Sequence, residues 1–336
     1  MTTPLTFGVE LEFAVASTHL NNNDPHPAHP GRIHFARPEQ RRLTPDSEQR
    51  ARVHEAIYVA LHTAGLPMGP QPIFDYMTWF VTDDLTIDPP HRNAPCNSAV
   101  YRWHSAEVIS PALYFRPESL TQIRAACATI STEFRVAATR TTGLHVHVGD
   151  GADSCRHYFL LTATAKLGDL FSSKFGTVEA LVREFQVCGG DRCAVEFSNL
   201  DDPMVAIKQT IEFRAHPGTL DGDDVVMWVK TVVGLVQWAR EAHSNQLMSL
   251  MAYVEAGNDE FSITSLLEML GLPEQAEFYK GKLHPLKVAE ENAGREYEIQ
   301  DLARPRTDIL EAFGIGADGV ATRDNWGKDL IFDPYY

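Results

Sequence analysis

The sequence predicts an α+β protein, with a mainly antiparallel sheet covered on one face by helices. Strand-like and helix-like segments follow one another irregularly, and some strand-like neighbours have no helix between them. This order lacks the strict strand–helix–strand rhythm of a parallel sheet and the evenly spaced strands of a β-sandwich. No repeat or linker divides the 336 residues. We therefore expect one domain over residues 1–336, with a core over 6–240 and a helical or irregular extension over 245–336.

The first half of the chain is predicted to hold four strands and two helices. Alternating polar and apolar residues, or short apolar runs, mark strands over 6–13, 105–115 and 141–150, and within 77–87 a strand followed by a turn or short strand. Thr44 and Pro45 begin the first helix, whose apolar stripe ends at Gly65. The second helix begins at Pro117 and runs to Ile130.

The second half is predicted to be mostly helical. Helices are expected over 153–174 and 177–187, and a strand with a turn over 209–221. Asp221 is placed to cap an amphipathic helix over 222–243. Two short helices are expected within 262–282.

Residues 17–42 stand between the first strand and the first helix and are rich in Asn, Pro, His and Arg. Such a composition predicts a long irregular loop. Its four histidines are irregularly spaced among prolines, which favours a surface segment over a metal site. Because long loops often close over functional sites, this segment or the loop 88–104 is a candidate lid.

Charge and composition exclude several classes of protein. The net charge of −16 argues against a general nucleic-acid binder, since phosphate contacts need a basic surface. It does not exclude a phosphate-bearing small molecule, because local arginines or metal ions override the global field. The most apolar run, 225–239, is too short and too interrupted to span a bilayer. Five scattered cysteines without a CxxC pair, and no leader-like N-terminus, predict a cytoplasmic protein.

Three strand-like segments repeat one polar–apolar–polar design. Because alternate residues of a strand point to the same face, each triplet places two functional groups on one face and a core residue on the other. Glu107 adds a carboxylate from a fourth segment. The triplets are Glu10–Leu11–Glu12, His145–Val146–His147 and Glu212–Phe213–Arg214.

Carboxylates crowded on one surface repel unless they are protonated or bridged by cations. An oxygen-rich site with one imidazole suits Mg²⁺ or Mn²⁺, ions that usually accompany nucleotide phosphates. Arg214, beside Glu212, could then stabilise a transferring phosphoryl group. Each triplet alone also fits a structural role, as a solvated strand face, as core histidines or as a local ion pair. Their joint occurrence favours a metal site.

Other site chemistries lack their motifs. The chain has no GxxxxGK[ST] phosphate loop, no HExxH and no GxSxG elbow, and no cysteine lies in a recognisable nucleophile signature. The stretch GIGADG at 314–319 lacks the lysine and the preceding strand of a phosphate loop.

Five stretches, taken in order, resemble the amidoligase family, a branch of the carboxylate–amine ligases related to glutamine synthetase and glutamate–cysteine ligase. They are FGVELEF, WFVTDDLTI, AEVISPAL, TGLHVHVG and TIEFRAHPGTLD, and the resemblance spans residues 6–240. It implies a glutamine-synthetase-like catalytic sheet whose concave face binds ATP with two or three Mg²⁺ or Mn²⁺ ions.

The resemblance also implies metal ligands. Glu10 and Glu12 would each hold a different ion. Glu107 would join the Glu12 ion, while His145 and Glu212 would share the Glu10 ion.

Further residues are implied to contact nucleotide or substrate. His147 would face the nucleotide, and Arg214 the transferred phosphate. Asp84 resembles a further metal or substrate group, and Arg192 is a candidate for contact with phosphate or an acyl phosphate. The chain departs from the family pattern at Thr86, where serine is more usual, at Cys193, where an aromatic residue is common, and in the length of 17–42. These departures leave the substrate open.

The implied activity is ATP-dependent formation of an amide from a small-molecule or peptide carboxylate and an amine or ammonia, through an acyl phosphate. Two alternatives stand beside it. One is a non-catalytic protein that binds a nucleotide or metabolite on the same fold. The other is a phosphotransferase of the guanidino-kinase type. The complete set of charged residues argues against a degenerate binder, which should have lost at least one of them.

Overall fold

A computed structural model of the chain describes residues 4–19, 22–29, 31–36, 46–69, 77–94, 96–149, 194–196, 210–255 and 262–282. Several sequence predictions lie outside these ranges. They are the helices over 153–174 and 177–187, the helix start at Thr44 and Pro45, and the role of Arg192.

The described residues form nine strands and five named helices. The strands are β1 (Thr6–His19), β2 (His34–Ala36), β3 (Phe80–Thr82), β4 (Arg102–Ile109), β5 (Leu113–Tyr114), β6 (Val136–Ala137), β7 (Gly143–Gly149), β8 (Val195–Glu196) and β9 (Ile211–Pro217). The helices are α1 (Asp46–Thr63), α2 (Pro117–Glu133), α3 (Gly222–Glu241) and α4 (Ser244–Glu255), with a short α5 (Ile263–Met269). Residues 273–282 are also helical.

All nine strands belong to one sheet, with the strand order β3–β4–β1–β7–β9–β8. β2, β5 and β6 also pair with β1, although they are not part of this order. Every pairing is antiparallel except that of β1 with β2. The predicted α+β class with a mainly antiparallel sheet is therefore confirmed.

One face of the sheet carries the hydrophobic core. Val9, Leu11 and Phe13 of β1 alternate along the strand and are at most 1% exposed. They form one buried cluster with residues of three helices and of β4, β7 and β9. The helical members include Val53 and Ile57 of α1, Ile123 and Ile130 of α2, and Val225, Val229 and Val232 of α3. Burial of these apolar surfaces holds the central strands in place.

The predicted irregular loop over 17–42 is partly wrong. β1 continues through His19, and β2 lies parallel to its end, with Ser17 opposite His34. The polar composition of this segment hid the strand, because its partners come from distant parts of the chain. Thr18 Oγ1, for example, donates to the carbonyl of Val100 at 2.9 Å.

A buried arginine anchors the chain between β1 and β2. Arg135 is 1% exposed, and its guanidinium donates to Asp24 Oδ1 at 2.5 Å and to the His26 carbonyl at 2.8 Å. Tyr101 Oη also donates to Asp24 Oδ1 at 2.5 Å and lies 2.9 Å from His26 Nδ1. We call Asp24, His26, Tyr101 and Arg135 the arginine cluster.

The second candidate lid, over 88–104, is held together by internal hydrogen bonds. The Asn97 amide donates to the carbonyls of Pro90 and His91, and its oxygen accepts from Trp103 Nε1 at 2.8 Å. These bonds join residues of the loop to one another, so the loop would keep them if it moved as a unit. A lid role for either segment stays a prediction.

The chain divides into two compact units. The first holds Met1–Val182 and Asp191–Arg240, and the second holds Arg183–Gly190 and Glu241–Tyr336. The first unit contains the whole sheet, and the described part of the second is helical. The predicted single domain over 1–336 stays a prediction. Among the described residues, no helix has the length and apolar character needed to cross a membrane.

Candidate metal and catalytic site

Three central strands bring the predicted carboxylates and imidazoles to the face of the sheet opposite the core. Glu10 of β1 lies opposite His145 of β7, and His147 lies opposite Glu212 of β9. Since their neighbours in each strand point into the core, these side chains share the other face. The strand alternation read from the sequence is thus what assembles the site.

Glu10 is held by both histidines. Its Oε1 lies 2.9 Å from His147 Nε2, and its Oε2 lies 3.3 Å from His145 Nδ1. The other ring nitrogen of His147, Nδ1, lies 3.1 Å from Thr210 Oγ1. Both nitrogens of His147 are therefore engaged, and this ring orients Glu10.

His145 Nδ1 is the centre of the group. Besides Glu10, it lies 3.5 Å from Glu12 Oε1 and 3.6 Å from Glu212 Oε1. The three carboxylates and His145 are each at most 7% exposed. We call Glu10, Glu12, His145, His147 and Glu212 the carboxylate cluster.

Glu12 has a backbone partner that the sequence did not reveal. The Gly143 amide donates to Glu12 Oε2 at 2.6 Å. Burial raises the pKa of Glu12 above its usual value, and the charge of Asp84 adds to this effect, while His145, this amide and Arg214 oppose it. The folded protein without a cation therefore disfavours the ionised form of Glu12.

Arg214 lies at the edge of the cluster, next to a β-bulge. Leu144 pairs with His216 while Val146 pairs with Phe213, so β9 holds one extra residue opposite His145. Arg214 Nη1 donates to Glu212 Oε1 at 2.5 Å. Although burial disfavours its charge, Glu212, Glu10 and Glu196 raise the pKa of Arg214. Its guanidinium is partly exposed, at 31%, and stays positively charged.

Two further predicted residues lie beside Glu12. Glu107 of β4 is directly opposite Glu12, so the two side chains share a face. Asp84 follows β3, and its Oδ1 accepts from the Thr86 amide at 2.7 Å. The Asp88 amide donates to Thr141 Oγ1 at 2.7 Å, which ties the loop after β3 to the turn before β7. Both carboxylates thus border the Glu12 side of the cluster.

Glu196 is a site residue that sequence reasoning missed. It lies directly opposite Glu212 in β8, and its charge contributes to the raised pKa of Arg214. The signal was present, since Glu196 stands between Val195 and Phe197 as Glu10 stands between apolar neighbours. Without a clear strand around it, this single alternation was too short to notice.

The donor set fits a divalent cation. One ligand atom from each of Glu10, His145 and Glu212 lies within 4.8 Å of the other two, and all three residues are buried. Two carboxylates with one imidazole suit Mg²⁺ or Mn²⁺, and three protein ligands leave positions in an octahedral shell for phosphate oxygens or water. Glu12 completes a second group of carboxylates with Glu107 on the β4 side.

Comparison with known protein families identifies the chain's relatives. Residues 3–180 match the family model described as "Putative amidoligase enzyme". The chain belongs to this family. Its description makes the protein an enzyme of the ligase type, as the sequence resemblance implied. A search of curated proteins finds no match for the chain. The family match ends before β9, so the place of Glu212 and Arg214 beside Glu10 and His145 rests on the geometry described above.

Proposed function

We propose that this amidoligase joins a small-molecule or peptide carboxylate to an amine or ammonia, using ATP and Mg²⁺ or Mn²⁺. The observation that carries the proposal is the crowding of three buried carboxylates around His145 Nδ1, with one guanidinium at their edge. This arrangement holds an excess of negative charge, which divalent cations and their nucleotide phosphates would neutralise. We infer a glutamine-synthetase-like sheet and action in the cytoplasm as parts of the same proposal.

The chain's own residues would divide the work. Glu10, His145 and Glu212 would hold one cation, while Glu12 and Glu107 would hold another. Bound there, the cations would supply charge neutralisation at the phosphates of ATP. His147 would keep Glu10 in place through its 2.9 Å contact and face the nucleotide. Arg214 would contact the transferred phosphoryl group, because it is partly exposed and permanently charged.

The proposed reaction has two steps. A carboxylate oxygen of the acid substrate attacks the γ-phosphorus of ATP, the bond to the β-phosphate oxygen breaks, and ADP leaves. The amine nitrogen then attacks the acyl carbon, phosphate leaves with the former carboxylate oxygen, and the nitrogen loses a proton. Arg214 and Arg192 would stabilise charge on the phosphoryl oxygens, and Asp84 would bind substrate or a further cation. Water must be kept out, since it would hydrolyse the acyl phosphate.

A panel of carboxylates and amines, each tested with ATP and Mg²⁺, is the direct experiment. ADP release is measured together with the amide product by mass spectrometry. Amide formed with one pair of substrates would support the proposal. Glu12→Gln should abolish this activity, whereas Glu55→Gln, an exposed residue of α1, should leave it unchanged.

Other outcomes separate the alternatives. A phosphorylated product without amide would identify a phosphotransferase. Tight ATP binding without turnover across the panel would favour a binding protein. Amide formation that persists in Glu12→Gln would refute the metal role of that residue.

A further inference from the structure

We propose that Gly143 is a positioning residue of the carboxylate cluster, which orients Glu12 through its amide and gives the His145 ring its place by lacking a side chain. The proposal rests on the proposed function in one respect, since the cluster it orders is the one we expect to bind a divalent cation.

The Gly143 amide orients the Glu12 carboxylate. Gly143 N–H donates to Glu12 Oε2 at 2.6 Å, across the sheet from β7 to β1. A short bond to a charged acceptor fixes the carboxylate in one orientation. The other oxygen, Oε1, is then the one turned toward His145 Nδ1, at 3.5 Å. The amide therefore holds one oxygen of Glu12 and leaves the other facing the centre of the cluster.

Gly143 also leaves space for the His145 ring, because it has no side chain. A Cβ built on Gly143 would lie 2.6 Å from His145 Nε2, 3.1 Å from His145 Cδ2 and 3.4 Å from Glu12 Oε2. The first distance is too short for any real contact. The Nε2 edge of the imidazole therefore rests against the glycine backbone. With that edge occupied, Nδ1 is the nitrogen that faces Glu10, Glu12 and Glu212.

Backbone conformation does not explain this glycine. Among the described glycines, positive φ angles occur at Gly65 and Gly271, where the chain turns after a helix. Gly143 begins a strand whose backbone other residues readily adopt. What the position requires is the absence of a side chain next to His145.

Gly8 provides a matched control. It also lies in a central strand, directly opposite His147. A Cβ built there meets only ordinary contacts, at 3.6 Å from Ser110 Oγ and 3.8 Å from the Pro111 carbonyl. Gly8→Ala therefore changes the same residue type in the same sheet without displacing a ring.

The experiment uses the full chain, with Mn²⁺ as the probe. Mn²⁺ affinity is measured by electron paramagnetic resonance, and the ring signals of His145 are followed by NMR in the metal-free protein, assigned with His145→Ala. Gly143→Ala should weaken Mn²⁺ binding by about 10- to 100-fold, the usual effect of disturbing residues that orient metal ligands, and should shift the His145 signals. Gly8→Ala should bind Mn²⁺ within about twofold of wild type and leave those signals in place.

The two measurements test different claims: Mn²⁺ binding by the wild type tests the metal site, and the His145 signals test the positioning role of Gly143. Wild-type protein that binds no Mn²⁺ would count against the metal site, and the His145 signals would then decide the positioning role alone. Unmoved His145 signals in Gly143→Ala, with or without Mn²⁺ binding, would overturn the proposal.

A double-mutant cycle covers the case in which Gly143→Ala folds poorly. Removing the ring removes the clash, so Gly143→Ala should lower the melting temperature much less in a His145→Ala background than in wild type. An equal loss in both backgrounds, or failure of both variants to fold, would mean that the glycine serves the backbone and not His145. That result would also overturn the proposal.

Discussion

Two buried ionic groups lie in the same unit of this protein, and they are built in opposite ways. The arginine cluster surrounds one guanidinium with one carboxylate, a phenol and backbone carbonyls, so its charges match. The carboxylate cluster gathers three buried carboxylates, with one guanidinium, that of Arg214, paired to Glu212 at its edge. A charge-matched group needs no added ion to balance its charges. An excess of like charge needs a ligand, and this difference separates the structural group from the functional one.

The electrostatics of the two groups agree with this distinction. Burial alone would raise the pKa of Asp24, but hydrogen bonds from Arg135 and Tyr101 lower it to about 2. Burial and the neighbouring Asp24 raise the pKa of Tyr101 to about 12, so the phenol keeps its proton. Burial raises the pKa of Glu12, and its favourable neighbours do not compensate. The fold thus favours ionised Asp24 and disfavours ionised Glu12.

The largest expected effect is the loss of stability when the arginine cluster loses the guanidinium of Arg135. Arg135→Met leaves Asp24 without its ion pair and takes a donor from the carbonyls of His26 and Gly31, which should lower the free energy of unfolding by about 3 kcal/mol. Urea unfolding followed by tryptophan fluorescence measures the change. Arg32→Met is the matched control, because the Arg32–Glu133 pair is exposed, and it should change stability by less than about 0.5 kcal/mol. Equal effects in the two variants would contradict a structural role for the cluster.

A smaller loss is expected from Tyr101→Phe. The phenol donates to Asp24 and lies 2.9 Å from His26 Nδ1, so removing its oxygen should cost about 1–2 kcal/mol of unfolding free energy. Tyr114→Phe, at a half-exposed residue of β5, is the control and should be close to neutral. The same urea titration applies, and a neutral Tyr101→Phe would show that Arg135 holds Asp24 without the phenol.

Removing a charge from the carboxylate cluster should raise the stability of the metal-free protein, whereas changes in the arginine cluster lower it. Glu12→Gln removes a charge that the fold disfavours and keeps an oxygen to accept from Gly143. We expect the metal-free variant to be more stable than wild type by about 0.5–2 kcal/mol, the usual range for a stabilising change at a functional site. Its Mn²⁺ affinity should fall sharply. A less stable Glu12→Gln would mean that Glu12 supports the fold and would weaken the contrast between the clusters.

The smallest effects are in the pH dependence, measured as differences between each variant and wild type without metal. The lowered pKa of Asp24 contributes stability that is present above its ordinary pKa of 3.8 and is lost as the pH falls toward about 2. The loss of stability in Asp24→Asn relative to wild type should therefore become smaller as the pH falls over that range. Glu12 has a raised pKa, so wild type should lose stability as the pH rises above 4.5. The extra stability of Glu12→Gln relative to wild type should grow as the pH rises above 4.5. If the stability difference between either variant and wild type did not change with pH, the pKa shift assigned to that residue would be contradicted.

Local patterns were enough to predict most of the candidate site. Polar–apolar–polar triplets identified Glu10, Glu12, His145, His147, Glu212 and Arg214, and the structure brings all six together. The prediction succeeded because strand alternation is a short-range property that survives in any sheet. Glu107 and Asp84 also lie beside Glu12. The metal and substrate roles of these residues stay predictions, and Arg192 lies outside the described residues.

The arginine cluster was invisible by the same reasoning. Arg135 is 111 residues from Asp24 along the chain, and Tyr101 is 77 residues from it. Each residue alone is unremarkable, and the polar segment around Asp24 indicated an irregular loop. Glu196 and the amide of Gly143 were missed for a related reason, since their importance depends on the strand that lies opposite.

The sequence by itself determined the alternation of each strand, the apolar stripes of the helices and therefore the class of the fold. It also determined which residue types would share one face of the sheet. Only the tertiary structure decided how the strands align, and with them which charges meet. Alignment depends on contacts between residues far apart in the chain, such as Glu10 with His147 and Gly143 with Glu12. For this reason the tertiary structure separates a charge-matched anchor from a carboxylate cluster that calls for a cation.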